Sequence, residues 1–252
     1  MPSPKRNEKV YVYGKNALIE ALENVPQVIK RVHLAAEFDD ARLKQALKAR
    51  DIPVQIMDST EAKRSVGDAS HQGVIAVIDA DALMQPFGEF LAGLKPGKAT
   101  ALAVMGEVQD PHNVGAIIRS AAAFGLSGVL IPEHNQAQVT GTVVKTSAGM
   151  AFRVPLVSIG NVNDTLRTLK EAGFWIYGLS MDGNPVGTET FDAPAVFVLG
   201  SEGAGIREKT LDACDIRLSI PMHPRCESLN VAVSAGIVFN TWSAQHPHAM
   251  RA

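Results

Sequence analysis

The chain is poor in several features whose presence would assign a protein to a class at once. It has only 2 cysteines, Cys214 and Cys226, without C-x-x-C spacing or a histidine pair beside them, so neither a disulfide framework nor a zinc site is expected. A reducing, cytoplasmic setting fits that scarcity. No sign of charge dominates: 24 Lys+Arg against 26 Asp+Glu give a formal net charge of -2, which excludes a histone-like binder working through one global positive field. No run reaches the roughly 18 apolar residues that a membrane-spanning helix needs. The start, from Met1 to Lys9, is charged with no apolar stretch behind it, so we expect a tail and no leader. What is there, 46% hydrophobic and 20% charged residues in a chain of 252, is the balance of a folded globular protein with one large or two modest domains.

The patterning predicts two α/β regions. In the first, 1–79, short strands at 10–13, 31–35, 54–57 and 73–78 alternate with helical periods. Asn16 is placed to cap a helix, 40–50 reads as amphipathic with Leu43, Ala46 and Leu47 inward, and Asp58 or Ser59 can cap a further short helix. Between 80 and 98 the pattern weakens to one helical piece flanked by Pro86 and Pro96-Gly97, the best linker candidate. From 99 to 252, strands at 101–105, 128–131, 174–179, 195–199 and 216–220 alternate with helices at 113–124, near 162–172, after Gly205 and from about Ser228. That alternation predicts a mainly parallel sheet covered on both faces.

Several short motifs fail on inspection. Gly93-Leu94-Lys95-Pro96-Gly97-Lys98 lacks a spacer residue of the phosphate loop, and Ala99 replaces the hydroxyl that would meet magnesium. Gly200-Ser201-Glu202-Gly203-Ala204-Gly205 does not have the glycine order of a dinucleotide fingerprint. The run Gly178-Leu179-Ser180-Met181-Asp182 misses the nucleophile elbow by its last residue. His71 reads as a polar residue beside a turn.

Three segments remain, each following a predicted strand. In Asn113-Val114-Gly115-Ala116-Ile117-Ile118-Arg119, the arginine is the one charged residue up to Gly125. If its apolar neighbours bury it, it needs an anion, a protein carboxylate or a substrate phosphate; otherwise it reaches the surface while Asn113 caps a helix. The second, Leu199-Gly200-Ser201-Glu202-Gly203, puts glycines and an acid at a strand's C-terminal end, where open α/β sheets bind small molecules, or forms an ordinary turn with Glu202 in water. The third runs from Ile220-Pro221-Met222 to Ser228-Leu229-Asn230, where Ser228 can cap a helix that is apolar nearly all round. Such a helix must be covered on every side, by a core or by a second subunit.

Taken in this order, these three segments resemble the signature motifs of the SpoU (TrmH) class of RNA ribose 2′-O-methyltransferases. Tyr13-Gly14-Lys15-Asn16-Ala17 and His71-Gln72-Gly73 in the first region resemble the substrate-binding domain that precedes the catalytic one in some members. The resemblance implies an α/β catalytic domain with a deep trefoil knot after a small ribosomal-protein-like α/β domain, homodimers, and S-adenosyl-L-methionine as methyl donor. It implies RNA as partner, in the branch closest to this chain a guanosine of 23S rRNA, with no metal and no membrane. It places catalysis on Asn113, Arg119, Glu202, Ser228 and Asn230, and cofactor contacts on Leu179, Gly200, Ile220, Met222 and Leu229.

In the family the arginine matching Arg119 is held to activate the hydroxyl, but a guanidinium is a poor base. A clamp on the phosphate beside the target ribose suits it better, with Asn113 and Glu202 fixing either Arg119 or the ribose. In the 223–227 loop, which the motif does not dictate, Arg225 either touches phosphate or is simply solvated, and Cys226 reads as a bystander, since ribose methylation needs no thiol. Methylation of tRNA or of another rRNA site, and a non-catalytic RNA-binding protein of this fold, are the alternative readings.

Overall fold

The computed structural model describes residues 9–57 and 72–251. The expected tail, the cap at Asp58 or Ser59, and His71 lie outside them. Along the chain run β1 (Lys9–Tyr13), α1 (Lys15–Asn24), β2 (Ile29–Ala35), α2 (Ala41–Lys48), β3 (Val54–Met57), β4 (Val74–Asp79), α3 (Ala80–Leu83), β5 (Met84–Pro86), α4 (Phe87–Gly93) and β6 (Ala101–Met105). There follow α5 (Pro111–Ala123), β7 (Gly128–Pro132), α6 (Gly141–Thr146), β8 (Leu156–Ile159), α7 (Val162–Glu171), β9 (Trp175–Pro185), β10 (Ala195–Leu199), α8 (Glu208–Leu211), β11 (Ile216–Ser219) and α9 (Val231–Gln245). They form two compact units, one from Met1–Met84 and Val139–Arg153, the other from Gln85–Gln138 and Val154–Ala252.

The first unit is built on a four-stranded sheet in the order β1-β4-β2-β3, antiparallel except for the β2/β3 pair. Val12, Leu18, Val32, Leu34, Leu47 and Ile75 fill its core. Asn16 does not cap α1. The helix begins two residues earlier than that cap implies, at Lys15 after Gly14, whose φ of 98° suits glycine. The segment Val139–Arg153 belongs to this unit although β6 and β7 precede it in sequence. Gly141 approaches β1 so closely that a Cβ there would lie 2.1 Å from the Tyr11 carbonyl oxygen. Lys145 sits 4.9 Å over the Tyr13 ring, and the Arg153 guanidinium pairs with Glu20.

The second unit holds a seven-stranded sheet, ordered β11-β9-β10-β6-β7-β8-β5. The pairs from β11 through β8 are all parallel. Helices cover both faces of such a sheet, so β6 (ALAVM) and β10 (AVFVL) have no polar positions and are buried throughout. The stretch 80–98 read as a linker contains α3, β5 and α4; β5 forms the sheet's edge and Phe90 packs in the core. From β6 the chain builds outward through β7 and β8, then crosses to place β10 and β9 on the other side. The C-terminal ends of β6 and β10 therefore flank a point where strand order reverses, where an open α/β sheet leaves a crevice.

Candidate active site

Three loops leave the C-terminal ends of β6, β10 and β11, and each carries one of the sequence motifs. The first two are joined at the root, where the Gly106 N–H donates to the Leu199 carbonyl at 2.6 Å. Between them the carboxylate of Glu202 accepts from the Gln109 N–H at 3.2 Å, the Asp110 N–H at 3.1 Å and the Asn113 side-chain amide at 3.0 Å. Asn113 completes its own bonding by accepting from the Asn230 amide at 2.9 Å. The Asn230 side-chain oxygen in turn accepts from the N–H groups of Ala232 and Val233. Asn230, Asn113 and Glu202 thus form one relay through all three loops.

Each member owes its position to local structure. Asn113 stands in the first turn of α5, whose N-cap is Asp110, accepting from the His112 N–H at 2.8 Å, with Pro111 at a position that needs no donor. Asn230, not Ser228, caps α9. Ser228 lies two residues before the cap, exposed, with its carbonyl accepting from the Cys226 thiol. Glu202 rides on a loop closed by the Ser201 and Gly205 backbones, in which Gly200 is obligatory: a Cβ there would fall 2.2 Å from the Gly205 carbonyl carbon. Burial pushes the Glu202 carboxyl up, but its hydrogen bonds outweigh this and hold it below the ordinary glutamate value.

Of the two readings open for Arg119, burial against an anion and exposure at the surface, the structure has the second. It is exposed on α5, and among the described residues it has no hydrogen bond or ion pair. Six residues along a helix place it roughly 120° around the axis and about 9 Å beyond Asn113, so neither Asn113 nor Glu202 fixes it. Its apolar neighbours supply the inward face while its own side chain points to water.

Beside the relay, and sharing its loops, lies a cleft of about 360 Å³. Leu179, Ile220, Met222 and Leu229 line it. Gly200 does not; its part is the close packing of its backbone on Gly205 and Ile206, and Gly205 and Ile206 do reach the wall. Sequence reading missed Ser180, Glu208 and Leu211 in the wall. It also missed Gln136, buried, which accepts from the Val108 N–H at 2.9 Å and donates back to the Val108 carbonyl at 2.8 Å, pinning the loop that presents Gln109 and Asp110. Nothing in the local pattern around Gln136 signals this contact, which spans 28 residues. The Cys214 thiol, pushed up to about 12 by burial, is not poised as a nucleophile.

Comparison with known proteins identifies the family. The profile of the SpoU rRNA Methylase family matches residues 101–240, and that of the RNA 2'-O ribose methyltransferase substrate binding domain matches 11–84. The 23S rRNA (guanosine-2'-O-)-methyltransferase RlmB of Nitrosomonas europaea is 35% identical over 240 residues, 94% of this chain and 92% of its own length. A TrmH-family protein from Porphyromonas gingivalis, 29% identical, superposes with a TM-score of 0.74 over 93% of this chain and 89% of its own. An rRNA methyltransferase from Sinorhizobium meliloti, solved with S-adenosylmethionine bound, has the same fold, with a TM-score of 0.80 at 22% identity over 94% of this chain and 87% of its own. The chain belongs to the SpoU rRNA methylase family and is an S-adenosylmethionine-dependent RNA 2′-O-ribose methyltransferase.

Proposed function

We propose that the chain methylates the ribose 2′-hydroxyl of a guanosine in 23S rRNA, with the methyl donor in the cleft and the target ribose at the Asn230–Asn113–Glu202 relay. The observation that carries the site assignment is the relay itself: three loops far apart in sequence are tied by complementary hydrogen bonds beside a cleft of ligand size. The relative named for a 23S rRNA guanosine supports the substrate, since the match runs through both units.

The residues present fit S-adenosylmethionine. Leu179, Ile220 and Leu229 offer apolar wall to a purine ring, and the backbone at Ile206 offers polar groups to its edges. When bound, this group supplies an electrophilic methyl on a positively charged sulfur. The chain's own part is positioning, which supplies much of the rate in such a transfer. In this reading Glu202, kept ionised and immobile, and Asn113 orient the ribose, while Ser228, exposed beside them, faces the RNA. Arg119, without a partner among the described residues, clamps a phosphate and offsets charge developing on the 2′-oxygen.

Residues 1–79 dock the RNA, 80–98 connect, and 99–252 carry out the transfer as a cytoplasmic homodimer with a deep trefoil knot. The dimer is supported by α9, which buries Val238, Phe239 and Trp242 yet leaves Val233 50% exposed.

The test is to incubate the protein with labelled S-adenosylmethionine and total RNA from a strain lacking its gene, then map ribose methylation by nuclease digestion and mass spectrometry. Label at a 23S rRNA guanosine is the expected result. Label in tRNA would overturn the substrate, and no label in any RNA would overturn the enzyme in favour of an RNA-binding protein.

A further inference from the structure

Arg217 lies where the pairing of β11 with β9 breaks: it faces Gly178, while the next residue, Leu218, faces Asn184. Residues 179–183 are therefore thrown out of the ladder, and Leu179, Ser180 and Met181 among them line the cleft. The excursion is fastened at its far end by backbone. Ser219 donates its hydroxyl to the Gly183 carbonyl at 2.7 Å, and a Cβ on Gly183 would lie 2.5 Å from the Arg217 carbonyl. Its tip is held differently. Arg217 Nη1 lies 3.5 Å from Asp182 Oδ2, and Asp182 also accepts from the Ser180 hydroxyl.

The same guanidinium reaches a second part of the wall. Its Nη2 donates to Glu208 Oε1 at 2.9 Å and to Asp212 Oδ1 at 3.0 Å, which joins it to α8 and the residue that ends it. The three acids are 65% to 72% exposed, so the pairs add little to folding stability. Their geometry is the informative part: one planar fork joins the two segments, and a lysine's single point charge would not span them equally.

We propose that Arg217 is a positioning residue of the cofactor cleft, a strut between the 179–183 excursion and α8 that sets the shape of the pocket for S-adenosylmethionine. This rests on the assignment of that cleft to the methyl donor. A strut acts on whatever fills the pocket, so donor and demethylated product, S-adenosylhomocysteine, lose affinity together when it is cut. If the guanidinium acted instead as a charge, its removal would tighten only the cationic donor.

Isothermal titration of the wild type and Arg217→Ala with both ligands decides. The expected result is a rise in both dissociation constants by a common factor of about three to ten. The Michaelis constant for S-adenosylmethionine should rise with them, while kcat at saturating donor and the Michaelis constant for RNA stay within about twofold, and Arg217→Lys restores part of the loss. Asp182→Asn, which cuts one arm outside the pocket wall, gives the same pattern more weakly and serves if Arg217→Ala does not fold. Unchanged affinities in a folded variant, or a tighter donor with an unchanged product, overturn the strut. Failure of the wild type to bind either ligand overturns the cleft assignment, and the inference with it.

Discussion

Arg119 and Arg217 belong to the same unit and have opposite surroundings. Arg119 stands on a helix among apolar residues, exposed and without an anion among the described residues; Arg217 stands in an edge strand with three carboxylates around it. An arginine whose charge is already matched inside the chain has a structural task. One that the fold leaves unmatched is available to a partner, and a phosphate is the anion an RNA presents. The relay at Glu202 makes a third case, an acid matched by uncharged donors alone.

The sharpest way to break this contrast is Arg119→Ala. With no intrachain partner to lose, its melting temperature should stay within about 1 °C and S-adenosylmethionine affinity should be unchanged, while kcat/KM for RNA falls by about 100-fold or more. A comparable loss of donor binding would show Arg119 to be structural. Arg119→Lys keeps the charge and removes the fork; about a tenfold loss is expected, and near wild-type turnover would sink any role for bidentate geometry. Asn113→Ala tests the relay: it strands the Asn230 amide and removes one donor from Glu202, so chemical denaturation should report a loss of about 2 kcal/mol. Combined with Asn230→Ala the losses should not add, because the two amides share one bond.

The acid matched by neutral donors should answer to pH and the acids matched by Arg217 to salt. Because the fold depresses the Glu202 pKa, its stabilisation is fully present above the ordinary glutamate value of 4.5 and is lost as pH falls through the lower folded value. Melting temperature against pH should therefore turn down more steeply in that acid window for the wild type than for Glu202→Gln. The smallest effect is expected from salt. Raising it from about 0.05 to 0.5 M should weaken S-adenosylmethionine binding by less than about twofold through the exposed Arg217 pairs.

The sheet of the second unit was legible because strands buried on both faces have no polar positions: 101–105 and 195–199 coincide with β6 and β10. The motif residues were legible too, since Asn113, Glu202 and Asn230 meet in one relay. The state of Arg119 was not. An apolar neighbourhood in sequence is compatible with a buried or an exposed arginine; in the folded helix the spacing turns Arg119 outward and leaves Ile117 and Ile118 to the core. Arg217 drew no attention because its partners are spread from Asp182 to Asp212, and only the pairing break between β9 and β11 brings them together. The cap of α9 was misplaced by two residues because Ser228 and Asn230 are both good capping types, and local sequence does not choose between them.

The seat of Val139–Arg153 in the first unit has a consequence for the timing of synthesis. A chain that emerges from its N-terminus has all four strands of the first sheet by residue 79, yet the piece that lays Gly141 against Tyr11 and Arg153 against Glu20 arrives only after β6, α5 and β7 have been made. The first unit therefore waits, incomplete, through much of translation, and closes by a contact spanning 133 residues, of the kind that slows folding. A fragment ending at Met84 would carry every strand of that sheet and still lack its last piece.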